Sequence, residues 1–195
     1  MELSKFRLSS LVVLTSSAGY LAAGSPVEVC TLAAVTGGTA LAAASAAALN
    51  QWYEAKQDGM MNRTKGRPLP SGRITNAQAL TFAAGTAVAG TGLLWTATNP
   101  VVAALSAANI ALYAGPYTIS KQHSEINTWI GAVVGAIPPV MGWAAASTNL
   151  IAWEPAILAS LLFLWQFPHF FALSWMYKDD YARGAYQMVP VNDPT

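Results

Sequence analysis

Charge is scarce in this chain. Only 10% of its 195 residues are Asp, Glu, Lys or Arg, against 54% hydrophobic, where a soluble domain usually carries about 25% charge. So little polar surface cannot cover a globule of this size, which argues against a soluble helical bundle. The net charge of +1 argues against a nucleic acid partner, because phosphate backbones need a basic patch. Cysteine is almost missing as well. With Cys30 alone, an internal disulfide and a cysteine metal site are both excluded. Glycine, alanine and serine, by contrast, fill the apolar stretches, and such small residues let helices approach closely inside a bilayer.

The missing charges are missing in blocks. None falls between Leu8 and Val27, Val29 and Tyr53, Ile74 and Ser120, Ile126 and Trp153, or Pro155 and Tyr177. A helix needs about 20 apolar residues to cross a bilayer. The third block is twice that long, and Asn99-Pro100 divides it as a turn. The pattern predicts six transmembrane helices at roughly 8–24, 29–50, 76–96, 101–118, 127–146 and 155–176. The fold class is therefore all-α, a polytopic transmembrane bundle forming one domain over residues 1–195. Threading six helices alternately puts all ten basic residues on one side, and the opposite loops carry only Glu28 and Glu154. The positive-inside rule then places both ends of the chain on the matrix or cytoplasmic side.

Chemistry concentrates at that side. After the second span the chain reads Asn50-Gln-Trp-Tyr-Glu54-Ala-Lys-Gln-Asp58, followed by Arg63, Lys65 and Arg67. On a helix, Asn50, Glu54 and Asp58 stack along one face, one turn apart. Such oxygen donors suit Mg²⁺, which binds through one or two carboxylates together with substrate phosphates. The cations that follow can grip phosphate oxygens, arginine in a bidentate way. Metal and cations together stabilise charge building on a departing diphosphate. A solvated loop that only sets topology would explain the cations but not the aligned Asn/Glu/Asp face.

The segment Met61-Asn62-Arg63-Thr64-Lys65-Gly66-Arg67-Pro68 completes a pattern that resembles the UbiA superfamily of intramembrane prenyltransferases, in the form of its haem O synthase family. Two later stretches resemble it too. One runs from Tyr117 through Lys121 and Asn127 to Trp143; the other joins Trp165-Gln-Phe-Pro-His-Phe170 to Tyr177-Lys-Asp-Asp-Tyr181. The likeness extends from about Lys5 to Pro194. Gln122, where the family usually has arginine, puts one diphosphate contact in doubt. Ala185, where it has a second glycine, is a minor departure.

The resemblance implies a nine-helix fold around a central cavity, with six helices in this chain and the last three expected beyond it. It implies transfer of a farnesyl group from farnesyl diphosphate to a vinyl group of haem B, giving haem O for haem A and cytochrome oxidase, with Mg²⁺ as cofactor. The expected setting is the mitochondrial inner membrane, or a bacterial plasma membrane. By the same resemblance Asp179 and Asp180 form a second acidic motif that holds a second Mg²⁺, and Lys121 closes the diphosphate pocket. Asp58, Lys121 and His169 are the catalytic candidates. His169, the lone histidine within a span, is equally a haem ligand, a proton donor or a packed residue. The other readings are a quinone-precursor prenyltransferase, an inactive truncated form, and a transporter, which would spread polar residues along a pore. If one diphosphate bridges both acidic motifs, Asp58 or Glu54 should lie within about 12 Å of Asp179 or Asp180. Without metal, crowding should raise at least one of these acids.

Overall fold

The computed structural model describes residues 2–147, 149–150 and 152–192; the end of the resembling stretch, 193–195, lies outside the described residues. The described residues are helical or irregular, with no strand among them. The long helices are α1 (Phe6–Ala22), α2 (Val29–Tyr53), α4 (Asn76–Ala97), α5 (Pro100–Leu112), α7 (Asn127–Ala146) and α8 (Trp153–Met176). Short helices lie between and after them: α3 (Ala55–Met60), α6 (Thr118–Ser120), α9 (Lys178–Arg183) and α10 (Val189–Asn192). Five segments are long and apolar enough to cross a membrane: α2, α4, Pro100–Ser120, α7 and α8. The sixth predicted span, α1, has 17 residues, the lower limit for a crossing.

Local chemistry sets the ends. Thr75 and Gln78 form a reciprocal cap on α4: the Thr75 hydroxyl accepts from Gln78 N–H at 3.2 Å, and the Gln78 side chain accepts from Thr75 N–H at 2.9 Å. The Asn99 side chain accepts from Val102 N–H at 3.1 Å, and Pro100 supplies a first turn that needs no N–H. The Asn99 amide also donates to Ala144 O at 2.7 Å, which ties this turn to the end of α7.

Helices α1, α2, α4, α5 and α7 pack as a ring, each against its neighbours, and α8 packs on α7 from outside. The tightest crossing joins α1 to α7. A Cβ at Gly142 would sit 1.8 Å from Ser16 O, and one at Gly19 would sit 2.0 Å from Pro139 O. Backbone against backbone cannot yield as a side chain can, so these positions need glycine. Gly142→Ala is expected to push α1 off α7 and lower stability by roughly 1–3 kcal/mol. Unfolding in mixed micelles measures it; an unchanged midpoint would contradict the contact.

Between α5 and α6 the chain winds as a π-helical turn, Tyr113–Tyr117. Pro116 within it has no N–H to donate, so the regular ladder cannot continue. The Thr118 hydroxyl donates to Tyr113 O at 2.7 Å. The wider turn delivers both Tyr113 and Tyr117 to the ring's interior.

Candidate functional site

At the charged end the ring opens into a polar cavity of about 1080 Å³, its mouth included, bordered by Glu54, Asp58, Arg63, Arg67, Lys121 and Lys5. Glu54 sits at the joint of α2 and α3. Its N–H donates to Asn50 O at 2.9 Å, and its carbonyl accepts from Asp58 N–H at 2.8 Å. The expected one-face array therefore survives the break between the helices.

Each acid has found a cation. Lys121 Nζ lies 2.8 Å from Glu54 Oε1, with side chains 12% and 4% exposed. Burial is the largest single influence and opposes the charge on Lys121, but the Glu54 carboxylate together with Tyr117, Tyr113 and Tyr186 outweighs it and holds the ammonium well above the usual lysine range. The same Nζ lies 4.4 Å from the Tyr117 ring centroid. Arg67 Nη1 meets Asp58 Oδ2 at 2.6 Å, while Asp58 Oδ1 is buried with no partner among the described residues. Asn50 lies fully buried behind the acids, accepting from Lys5 Nζ at 2.6 Å and donating to Thr118 at 3.0 Å.

The basic loop is held by the second acidic motif. Asp180 accepts with both carboxylate oxygens: Oδ1 from Asn62 N–H at 3.2 Å, Oδ2 from Arg63 N–H at 3.1 Å, and Oδ1 also from Arg183. This aims Arg63 into the cavity, its guanidinium 4.9 Å from the Tyr177 ring and 5.7 Å from the Tyr181 ring. Helices α3 and α9 touch, so the helix ends bearing the two acidic motifs do converge. The expected rise of an acid is not met at Asp180. The Arg183 guanidinium outweighs desolvation and, with the Arg63 and Asn62 amides, holds its carboxyl below the usual range.

That sign fixes a pH dependence. A lowered carboxyl contributes its stability above its unfolded value, near 4, and loses it as pH falls through the folded value. Asp180→Asn should loosen the 61–67 loop even at neutral pH, because an amide can accept with one side only and turns its NH₂ toward an N–H donor. Amide exchange at Asn62 and Arg63 is expected to speed up at least about tenfold. Exchange unchanged from the unsubstituted protein would remove Asp180 from this role.

Five predicted site residues do not line the cavity: Asn50 lies behind it and Asp180 clasps the basic loop, and Lys65, Asp179 and His169 stay outside. Lys65 is exposed and bonded to Asn62, and Asp179 is exposed beside the clasp. His169 is exposed on the outer side of α8, its ring stacked 4.9 Å from Trp165, and lines neither this cavity nor the one beneath it. The structure adds residues that sequence reading missed. Lys5, read only as a topology charge, enters the site across 45 positions of sequence. Tyr186 is 3% exposed, with an unpartnered hydroxyl among the described residues, and burial raises it far above the usual tyrosine range. No motif signalled Tyr186; position in the fold alone did.

Beneath the polar cavity lies an apolar one of about 900 Å³, its opening included. Leu8, Tyr113, Tyr117 and Phe170 border both, forming a collar between a charged mouth and a greasy interior. Among the described residues, no three of His, Cys, Asp or Glu cluster closely enough to hold a metal unaided. A divalent cation here would take Asp58, with its spare oxygen, and Glu54, and draw its other ligands from a bound anion and water.

A charged mouth thus opens onto an apolar shaft inside a ring of largely apolar helices. The chain belongs to the UbiA prenyltransferase family, whose pattern matches residues 11–193. Within that family it is 48% identical over 194 residues to the mitochondrial protoheme IX farnesyltransferase of Yarrowia lipolytica, covering 100% of this chain and 41% of that protein. The human enzyme of that name is 47% identical over 193 residues, covering 99% and 43%. That of Solibacter usitatus is 42% identical over 205 residues, covering 100% and 70%. The chain thus spans less than half the length of these mitochondrial relatives. Among solved structures, a digeranylgeranylglyceryl phosphate synthase superposes with a TM-score of 0.81 at 17% identity, covering 99% of this chain and 67% of its own. A UbiA homologue from Archaeoglobus fulgidus bound to DMAPP and Mg²⁺ gives 0.76 at 14%, covering 97% and 67%. At such identities these two speak for the fold.

Proposed function

We propose that the chain carries the prenyl-diphosphate site of a protohaem IX farnesyltransferase, joining farnesyl diphosphate to haem B. The observation that carries this reading is the junction itself: a cavity with four cations and two carboxylates opening through an aromatic collar onto an apolar one. Arg63, Arg67, Lys121 and Lys5 hold the diphosphate oxygens, and Asp180 positions Arg63. Asp58 and Glu54 would hold Mg²⁺, which would neutralise charge on the leaving group; a UbiA homologue from A. fulgidus with DMAPP and Mg²⁺ bound supports a requirement for that ion. The apolar cavity takes the isoprenoid. Tyr113, Tyr117 and Phe170 then surround the allylic carbon, exclude water and present aromatic faces to developing positive charge.

In the reaction the C1–O bond of farnesyl diphosphate breaks and its electron pair leaves with the diphosphate. The π pair of the haem vinyl group forms the new C–C bond to C1. The cation left beside the porphyrin takes water and loses a proton. The acceptor rests on the relatives' shared name. The chain sits in the inner mitochondrial membrane with its basic end on the matrix side, a reading supported by the positive-inside pattern and, for the organelle alone, by the relatives named mitochondrial.

The test incubates the protein in nanodiscs with haem B, farnesyl diphosphate and Mg²⁺, and reads haem masses and diphosphate binding together. A haem heavier by a farnesyl group plus a hydroxyl group is expected. Prenylation of an aromatic acid but not haem would replace the acceptor. Absence of Mg²⁺-dependent farnesyl diphosphate binding would overturn the reading.

A further inference from the structure

The helices of this protein satisfy their hydroxyls in a consistent way. Thr36, Thr86, Thr91, Thr96 and Ser174 each donate to the carbonyl one turn back, at 2.7–2.9 Å. Such back-bonding is how a hydroxyl is hidden inside a membrane. Thr39 and Ser106 break the habit. They are 2% and 1% exposed, yet neither hydroxyl has a partner among the described residues, and the Asn109 carbonyl oxygen is likewise buried and unpaired. All three line the apolar cavity. A buried polar atom without a protein partner is ordinarily met by ordered water or by a ligand.

Their depth is informative. Along α2, α5 and α7, the lining residues farthest from the charged mouth are Thr39, Ser106 and Met141. Together they make the floor. Ser106 on the floor lies eleven residues from Tyr117 in the collar, about 16 Å along a helix at 1.5 Å per residue. An extended isoprene unit adds four main-chain bonds, roughly 5 Å from standard carbon geometry. Three units match that depth, and a fourth must displace whatever satisfies the floor.

We propose that the hydroxyls of Thr39 and Ser106, with the Asn109 carboxamide, form a hydrated floor that limits the bound isoprenoid to three units. The inference rests on the apolar cavity being the isoprenoid site. A longer tail would strip water from these groups and offer them only methyl and methylene in return. A three-unit tail stops above them and leaves the water in place.

The test uses the full chain in nanodiscs with Mg²⁺ and measures the dissociation constants of farnesyl and geranylgeranyl diphosphate. The comparison is among unsubstituted protein, Thr39→Val/Ser106→Ala and Met141→Ala. The double variant keeps the shape of the floor and removes its hydroxyls. It is expected to shift the farnesyl-over-geranylgeranyl preference by at least about tenfold toward the longer chain. An unchanged preference in a double variant that retains its helicity overturns the proposal. A shift in Met141→Ala alone would assign the limit to bulk and likewise overturn it. If the double variant does not fold, the single Thr39→Val, expected to move the preference in the same direction, decides. Absence of binding by either diphosphate sinks the isoprenoid reading itself, which keeps the two failures apart.

Discussion

Asp58→Asn is expected to weaken Mg²⁺-dependent farnesyl diphosphate binding at least about tenfold, while the protein stays folded. Asp58 is 1% exposed, and its two oxygens are treated differently: Oδ2 faces Arg67, and Oδ1 has no partner among the described residues. A buried carboxylate oxygen left open beside a cavity is a ready metal ligand. The amide removes the charge and offers at most one weaker oxygen. Loss of a contact to a charged group costs about 1.5–3 kcal/mol, or a factor of ten or more in affinity. Arg67 keeps access to solvent, with 24% of its side chain exposed, so its own charge need not be stranded. A titration of binding against Mg²⁺ concentration reads the effect directly. Identical Mg²⁺ dependence in variant and unsubstituted protein would remove Asp58 from the metal role.

Lys121→Met is expected to destabilise the protein by about 3–5 kcal/mol, the range for removing one partner of a buried pair. The reason lies with Glu54, which is left as an unpaired charge at 4% side-chain exposure. The second substitution should therefore repair the first. Glu54→Gln added to Lys121→Met removes the stranded charge and should recover a large part of the loss, although the diphosphate site itself stays damaged. Unfolding midpoints for the two singles and the double give the coupling. Simple additivity would show that the 2.8 Å pair contributes nothing. The raised lysine fits this picture. Where Glu54 holds the ammonium protonated, the pair's contribution is fully present below the ordinary lysine range and is lost only as pH rises through the higher folded value.

What the sequence determined by itself was the set of helices and the location of the chemistry. Charges are costly inside a bilayer, so gaps between them mark the spans, and these agree with the observed helical segments to within a few residues. The Asn50, Glu54 and Asp58 face was legible because α-helical spacing is fixed locally, and it persists across the joint at Glu54. Tertiary structure decided which charges meet and which way each face turns. Lys5 reaching Asn50, Lys121 reaching Glu54 and Asp180 clasping the Arg63 loop are contacts across 45, 67 and 117 positions. Any of several lysines or acids could have made them by composition alone. His169 shows the same limit from the other side: its span was legible, but the turn of α8 that leaves it outside the cavities is set by packing on α7. Thr39 and Ser106 look like every other helical hydroxyl in the sequence. Only the rotation of α2 and α5 about the cavity sets them apart, because whether a hydroxyl has a partner depends on what the ring closes around it.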